Sequence, residues 1–396
     1  MMTVLFIGGV FASENEAEIV ENSNGYAEFS ANIFQKKLIC GFKENGICID
    51  VVSAPLIGAY PVRYKKPFFN GFCNEQNEYM YVRFNNIWGY RNFSRAFSLK
   101  KRIRQLIKAE RKSYDLIIAY SAHQPFLEAA SYAKKLLPDA KICFVVPDLP
   151  QYMNLDANRS LIYDILKTVD IERMHKQIKN VDSFVILTEY MKDMLRIGDR
   201  PYFVAEGIVD KIPEKREDLR SENDINSVVF AGKMNSIFGI NDLVDAFSEI
   251  EGENYRLILC GAGDAVDYVL EKAKEDNRIE YRGQVLPERL KEIISSASVL
   301  VNPRKNSGEY TKYSFPSKNI EYLQSGKPVV AYMLDGMPEE YNKFIYTVNN
   351  DSLVDALKTA FSADDQNERY NQFCLYSKEN LLAASIAKKI LNQTLE

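Results

Sequence analysis

The chain has 396 residues, 50 Lys and Arg against 54 Asp and Glu, and a formal net charge of −4. At roughly 150 residues per domain this length gives two or three domains, and a near-neutral chain does not hold nucleic acid through bulk charge. With 46% hydrophobic and 26% charged residues it can build sizeable cores without a long disordered tract. The 2 histidines, His123 and His175, argue against a multi-histidine metal site. None of the 6 cysteines falls in a CxxC pair. Cys143 and Cys260 sit inside apolar runs, where cysteine behaves as a small hydrophobe, so a reducing cytosol is expected rather than a disulfide or zinc framework. The opening MMTVLFIGGVFASENEAE has no basic leading region and reads as a strand and its loop. No run approaches the roughly 18 apolar residues of a membrane span.

In chain order, the first half shows a strand over 3–9, a helical pattern over 29–46, and strands over 46–54, 114–121, 141–148 and 182–188. A polar stretch, 207–226, reads as a linker. The second half continues with a strand over 226–233, a helix over 240–250, strands over 255–263 and 278–283, a helix over 287–297 and a strand over 298–304. A short helix Lys318–Gln324, a strand over 327–333 and a long final helix over 378–395 complete the pattern. Strands separated by helices predict parallel sheets of βαβ units. The expected fold is therefore α/β with two Rossmann-like domains, residues 1–206 and 207–377, facing a central cleft.

In such sheets the chemistry sits at the carboxyl ends of strands, which turns the strands into a set of candidate loops. Gly8-Gly9 follows the first strand, either to let a ligand approach or as a plain turn. His123 follows 114–121, with a helix expected from Gln124 or Pro125; it is a cleft histidine or a structural one. Asp148, in Pro147-Asp148-Leu149-Pro150, would orient a substrate hydroxyl or cap a helix. Gly232-Lys233 and Gly261-Ala262-Gly263 end successive strands and suit a phosphate approached by backbone and one cation. The block 302–332 is the most informative. There Tyr313, Ser314, Phe315, Pro316 and Ser317 lead into the short helix, whose first turn with Ser317 and Lys318 suits a diphosphate. Glu321, in the same helix, would accept from ribose hydroxyls or else be a solvated charge.

FPSKNIEYLQSGKPVVAY resembles the donor-site signature of the retaining GT-B glycosyltransferases of family 4 ("group 1"), in the bacterial capsule and O-antigen branch that carries an NPR…SFPSK…EY…SGKPVVA block. The resemblance is strongest from about Val228 to Tyr332. The family motif is a glutamate, seven residues and a second glutamate. Glu321 matches the second, which implies ribose binding, while Tyr313 stands where the first would contact the transferred sugar. Lys233 matches the first member of the family's basic pair, Phe238 stands where the second is expected, and Gly239 matches. The resemblance therefore implies that diphosphate neutralisation rests on Lys233 with Arg304 or Lys318, and that His123 lies near the transferred sugar.

The resemblance implies a donor nucleotide diphosphate-sugar, UDP-sugar favoured, on the second domain, and a glycan or lipid-linked oligosaccharide acceptor on the first. The final helix, 378–396, is expected to cross back to the first domain. Neither cofactor nor metal is implied, and retention of configuration is expected through a front-face step. His123, Lys233 and Asp148 are the catalytic candidates. Gly8, Gly9, Gly232, Lys233, Gly261, Gly263, Arg304, Tyr313 to Lys318 and Glu321 are the donor-binding candidates. A basic stretch from Arg95 to Lys112, with a loop from Tyr60 to Phe69, suggests peripheral contact with the inner membrane surface, or simply a solvated helix face. Two rival functions stand beside a cytosolic transferase. One is a nucleotide-sugar 2-epimerase of the same architecture. The other is a non-catalytic partner subunit, suggested by Tyr313 and Phe238.

Overall fold

A computed structural model describes residues 2–24, 29–71, 79–150, 161–212, 225–306, 308–350 and 352–395. Residues 213–224 of the expected linker lie outside them. The chain forms two compact units, Met1–Asp210 with Asn380–Glu396, and Lys211–Glu379.

The first unit contains strands β1 (Thr3–Gly8), β2 (Cys48–Ser53), β3 (Phe68–Phe69), β4 (Tyr79–Tyr81), β5 (Phe84–Asn85), β6 (Leu116–Tyr120), β7 (Lys141–Val146), β8 (Ser183–Ile186) and β9 (Tyr202–Val204). Its helices are α1 (Glu16–Asn22), α2 (Phe29–Glu44), α3 (Arg91–Arg104), α4 (Gln124–Leu136), α5 (Leu161–Ile178) and α6 (Met191–Met194). Seven strands form one parallel sheet in the order β4-β2-β1-β6-β7-β8-β9. Their continuous apolar runs suit burial on both faces: every residue of β6 is buried. The order turns back between β1 and β6, and at that reversal the strand ends leave room for a ligand.

The second unit contains β10 (Asn226–Lys233), β11 (Tyr255–Ala262), β12 (Ile279–Tyr281), β13 (Val299–Asn302), β14 (Val329–Ala331) and β15 (Tyr346–Thr347). Its helices are α7 (Ile240–Ser248), α8 (Val266–Glu275), α9 (Pro287–Ser296), α10 (Lys318–Gln324), α11 (Leu353–Ser362) and α12 (Gln366–Asn380). The sheet order, β12-β11-β10-β13-β14-β15, repeats the pattern of the first, with its reversal between β10 and β13.

The single helix expected over 378–395 is in fact two pieces, the end of α12 and α13 (Ala383–Leu395). The break has a physical cause. Val209 N–H donates to Leu381 O at 2.8 Å and Ala383 N–H donates to Val209 O at 2.9 Å, so this backbone pairs with another segment instead of continuing the helical ladder. α13 then packs on α2 within the first unit. Ile386 and Ile390 share a core with Leu38, Phe42, Val4 and Phe6. Gly41 is what allows the two helices so close: a Cβ there would lie 2.2 Å from Ala383 O. Ser183 and Thr394 hydroxyls bond at 2.5 Å and tie α13 to β8.

Candidate functional site

In the second unit β10 and β11 run side by side to their ends, with Gly232 opposite Gly261 and Lys233 opposite Ala262. Gly261 has φ +141°, and a Cβ on it would sit 1.8 Å from Gly232 O, so only glycine fits. Gly263 is equally constrained, with a Cβ falling 2.3 Å from the Met234 carbonyl. Met234 N–H donates to Ala262 O (2.9 Å) and Ala265 N–H to Met234 O (2.8 Å), locking the two loops together. Lys233 emerges exposed from this junction. Lys318 comes alongside: a Cβ at Gly232 would lie 3.8 Å from its Cε.

α10 is fixed to this strand end by Tyr322. Its buried hydroxyl accepts from Ala231 N–H at 2.8 Å and donates to Ala231 O at 3.1 Å. Burial holds the phenol proton well above its usual range. On the other side Asn302 Nδ2, at the end of β13, donates to Asn319 Oδ1 at 2.6 Å within the core. Phe315 packs edge-on against Tyr341 at 5.1 Å, and Phe315 and Pro316 are buried. These anchors leave Ser317 and Glu321 exposed and Lys318 partly so, with Lys318 Nζ 2.7 Å from Glu321 Oε2. The charges assigned to diphosphate and ribose hold each other.

Arg304 follows β13 and donates from Nη2 to Ser314 Oγ at 2.9 Å. Its guanidinium lies 5.5 Å from the Phe238 ring and 5.6 Å from the Tyr310 ring. Phe238, which replaces the expected second cation, thus carries a cation on its face. Burial lowers the Arg304 pKa without removing its charge. Gly239, with φ +79°, ends the turn after Phe238; a Cβ on it would lie 2.3 Å from Pro303 O, which packs that turn against the approach to Arg304. Tyr313 ends the turn Glu309–Tyr313, partly buried. Gly232, Lys233, Gly261, Gly263, Arg304 and the Tyr313–Glu321 segment therefore gather at neighbouring strand ends of one sheet.

Gly8, Gly9, His123 and Asp148 belong to the first unit. The two glycines are needed for packing: a Cβ on Gly8 would lie 2.4 Å from Gln35 Oε1, and one on Gly9 would lie 2.4 Å from Leu56 Cγ. Gly9 N–H already donates to Gln35 Oε1 at 2.9 Å. Asp148 is exposed after β7, and residues 151–160 beyond it lie outside the described residues. His123 precedes α4 and borders a cavity of about 180 Å³ whose lining includes Trp88, Arg91, Asn92, Gln124, Lys167 and Asp170. Its pKa is lowered to about 3, first by burial and then by the charges of Arg95 and Arg91. His123 is partly exposed, and its imidazole is neutral at physiological pH.

The basic stretch is less available than its sequence suggests. Arg95 is 1% exposed. Lys100 pairs with Glu128 (2.6 Å), Arg102 with Glu110 (2.6 Å) and Lys112 with Asp50 (2.8 Å). In the preceding loop Tyr64 and Phe69 are buried and Lys66 pairs with Glu18 at 2.9 Å. Among the described residues no helix is long and apolar enough to cross a membrane.

Residues 225–363, spanning every strand end of the second site, match the family model described as glycosyl transferases group 1. That stretch is similar to a group 1 glycosyltransferase domain. Solved structures share the fold over nearly the whole length. Sucrose-phosphate synthase from Thermosynechococcus elongatus superposes with a TM-score of 0.61 at 15% identity, covering 99% of each chain. HepE from Anabaena, in complex with UDP, gives 0.59 at 12% identity, again over 99% of each. The lipopolysaccharide outer core galactosyltransferase WaaB gives 0.56 at 15% identity, over 95% of this chain and 100% of its own. At such identities the likeness establishes the fold, which is GT-B: two Rossmann-like α/β domains with parallel sheets. No curated protein matches the chain by sequence. The domain match and the fold together support a glycosyltransferase.

Sequence reasoning missed Tyr322, Asn302, Asn319, Tyr310 and the cavity beside Trp88. Tyr322 and Asn319 lie next to and two residues before Glu321 and had a signal: polar groups on the inward face of a short helix need buried partners.

Proposed function

We propose that the chain is a retaining glycosyltransferase of the cytosol. It would move a sugar from a nucleotide diphosphate-sugar, UDP-sugar favoured, to a glycan or lipid-linked glycan in surface polysaccharide synthesis. The observation that carries this is the gathering of Lys233, Lys318, Arg304 and Glu321 at adjacent strand ends within the matched domain. UDP is favoured because HepE is described in complex with UDP, and a surface glycan because WaaB is described as a lipopolysaccharide galactosyltransferase.

In this reading the diphosphate lies against the glycine-lined ends of β10 and β11, where no side chain blocks the backbone. Lys233, Lys318 and Arg304 offset its charge, which grows as the bond between the anomeric carbon and the diphosphate oxygen breaks. The exposed Lys318–Glu321 pair contributes only about 0–1 kcal/mol, so a diphosphate draws off Lys318 at little cost and frees Glu321 to accept from ribose hydroxyls. The new bond forms from the acceptor oxygen to the anomeric carbon, and the acceptor proton passes to the departing diphosphate. The protein's part is positioning and charge stabilisation. Phe238 supports a cation where the family pattern has one, which favours a working phosphate site over a vestigial one.

Calorimetry with UDP tests this. Glu321→Ala and Lys233→Ala are each expected to weaken UDP binding about tenfold or more, the loss of one charge-assisted hydrogen bond. Wild-type affinity in both variants would remove the assignment.

A further inference from the structure

The short turn Ser236–Phe238, between β10 and α7, carries the ring on which Arg304 rests, yet none of its residues is buried. Ser236 and Ile237 are exposed and Phe238 is partly so. Met234 before the turn and Ile240 after it are each 0% exposed and fix its two ends. What lies between them is placed by polar contacts. The first N–H groups of a helical turn have no partner inside it, and a side chain just ahead usually caps them. Here the residue ahead, Asn235, makes no side-chain capping bond.

The cap comes instead from Asp264, 28 residues further along the chain. Its Oδ1 accepts from Ser236 N–H at 2.7 Å and from Ser236 Oγ at 3.1 Å. Asp264 stands on a firm base, because Ala265 beside it is 0% exposed and its N–H is bonded to Met234 O. From Ser236 the turn is closed by two further bonds. Phe238 N–H donates to Asn235 O and Gly239 N–H to Ser236 O, each at 2.9 Å. A shift at Ser236 therefore reaches the Phe238 ring, and with it the guanidinium 5.5 Å away.

We propose that Asp264 is a positioning residue: by capping Ser236 it sets the Phe238 ring and, through that ring, aims Arg304 at a diphosphate. Its own carboxylate repels an anion, so its contribution is geometry and not a ligand contact. The proposal rests on the glycosyltransferase reading for the diphosphate, and on the hydrogen bonds and ring contact for the positioning.

Asp264→Asn and Asp264→Ala both delete the charge, but only asparagine keeps an oxygen that accepts from Ser236. The ratio of their UDP affinities thus reads the cap without the charge. Calorimetry should find UDP about fivefold tighter in Asp264→Asn than in Asp264→Ala, with uridine bound equally by both. In an Arg304→Gln background the ratio should fall to about one, and in a Lys233→Ala background it should stay near about five. If Asp264→Ala fails to fold, Asp264→Leu, of similar size to asparagine and without an acceptor, takes its place. Equal UDP affinity in the two variants, the same ratio without Arg304, or a matching loss for uridine would overturn the proposal. A ligand-free measurement separates it from the transferase reading. The Arg304 Nε–H resonance, assigned by its loss in Arg304→Gln, should keep its wild-type position in Asp264→Asn and move in Asp264→Ala. No UDP binding by the wild-type protein, with that shift intact, removes the transferase and keeps the positioning; an unmoved resonance removes the positioning.

Discussion

Arg304 is held by two rings. Phe238 and Tyr310 flank its guanidinium, and Ser314 takes one N–H, while its Nε stays buried without a partner among the described residues. An arginine so held loses little freedom when it meets a phosphate. Arg304→Gln should weaken UDP about tenfold or more and leave uridine binding unaltered, as calorimetry with both ligands would read. An equal loss for uridine would mean a collapsed loop instead. His123 offers a pH test. Its pKa falls from 6.5 to about 3 in the folded chain, so below 6.5 the unfolded chain takes up the proton first. The unfolded state then binds more protons, and stability falls as pH drops from 6.5 towards 3. Above 6.5 the group has no effect on stability. Urea midpoints across that window should decline less steeply in His123→Asn than in wild type, and the His123 ring resonances should stay flat from about pH 8 to pH 5.

At the scale of elements, α10 shows what a sequence discloses and what it hides. Its bounds, Lys318 to Gln324, were readable because Pro316 and Gly326 punctuate it and apolar residues flank it. Its exposed Glu321 was readable from spacing. The reason it holds still was not, because Tyr322 acts on Ala231 and Asn319 on Asn302, partners that only folding brings near. Tyr322→Phe leaves Ala231 N–H and O buried and unpaired, a cost of about 1–3 kcal/mol. A lower Tm is expected together with weaker UDP binding; unaltered UDP affinity would show that α10 keeps its place without this tether. The cavity at Trp88 was hidden for a similar reason. Its walls come from the start of α3, the start of α4 and α5, which no local pattern connects. Conversely the basic stretch overstated its charge, since Glu128 and Asp50, which pair with Lys100 and Lys112, are remote in sequence.

For the whole molecule, alternating strands and helices were enough to predict two doubly wound sheets, because parallel pairing demands a crossover after every strand. Periodicity could not reveal that the final helical run is interrupted, since Val209 breaks it from outside. α13 supplies Ile386 and Ile390 to the first unit's core, each 0% exposed. At about 1.5–3 kcal/mol for each such side chain, with the exposed face of α2 added, its loss approaches the roughly 5–15 kcal/mol that holds a domain. A chain ending at Glu379 should therefore lose the first unit's thermal transition while the second, Lys211–Glu379, melts as before; two surviving transitions would refute the dependence.

That dependence reverses the order in which a ribosome's product can mature. The second unit is one continuous stretch and can close as soon as it emerges. The first, although synthesised earlier, waits with the α2 face of Leu38 and Phe42 uncovered until the last residues of α13 leave the exit tunnel. For the whole of that interval its apolar surface is open to chaperones and to neighbouring nascent chains.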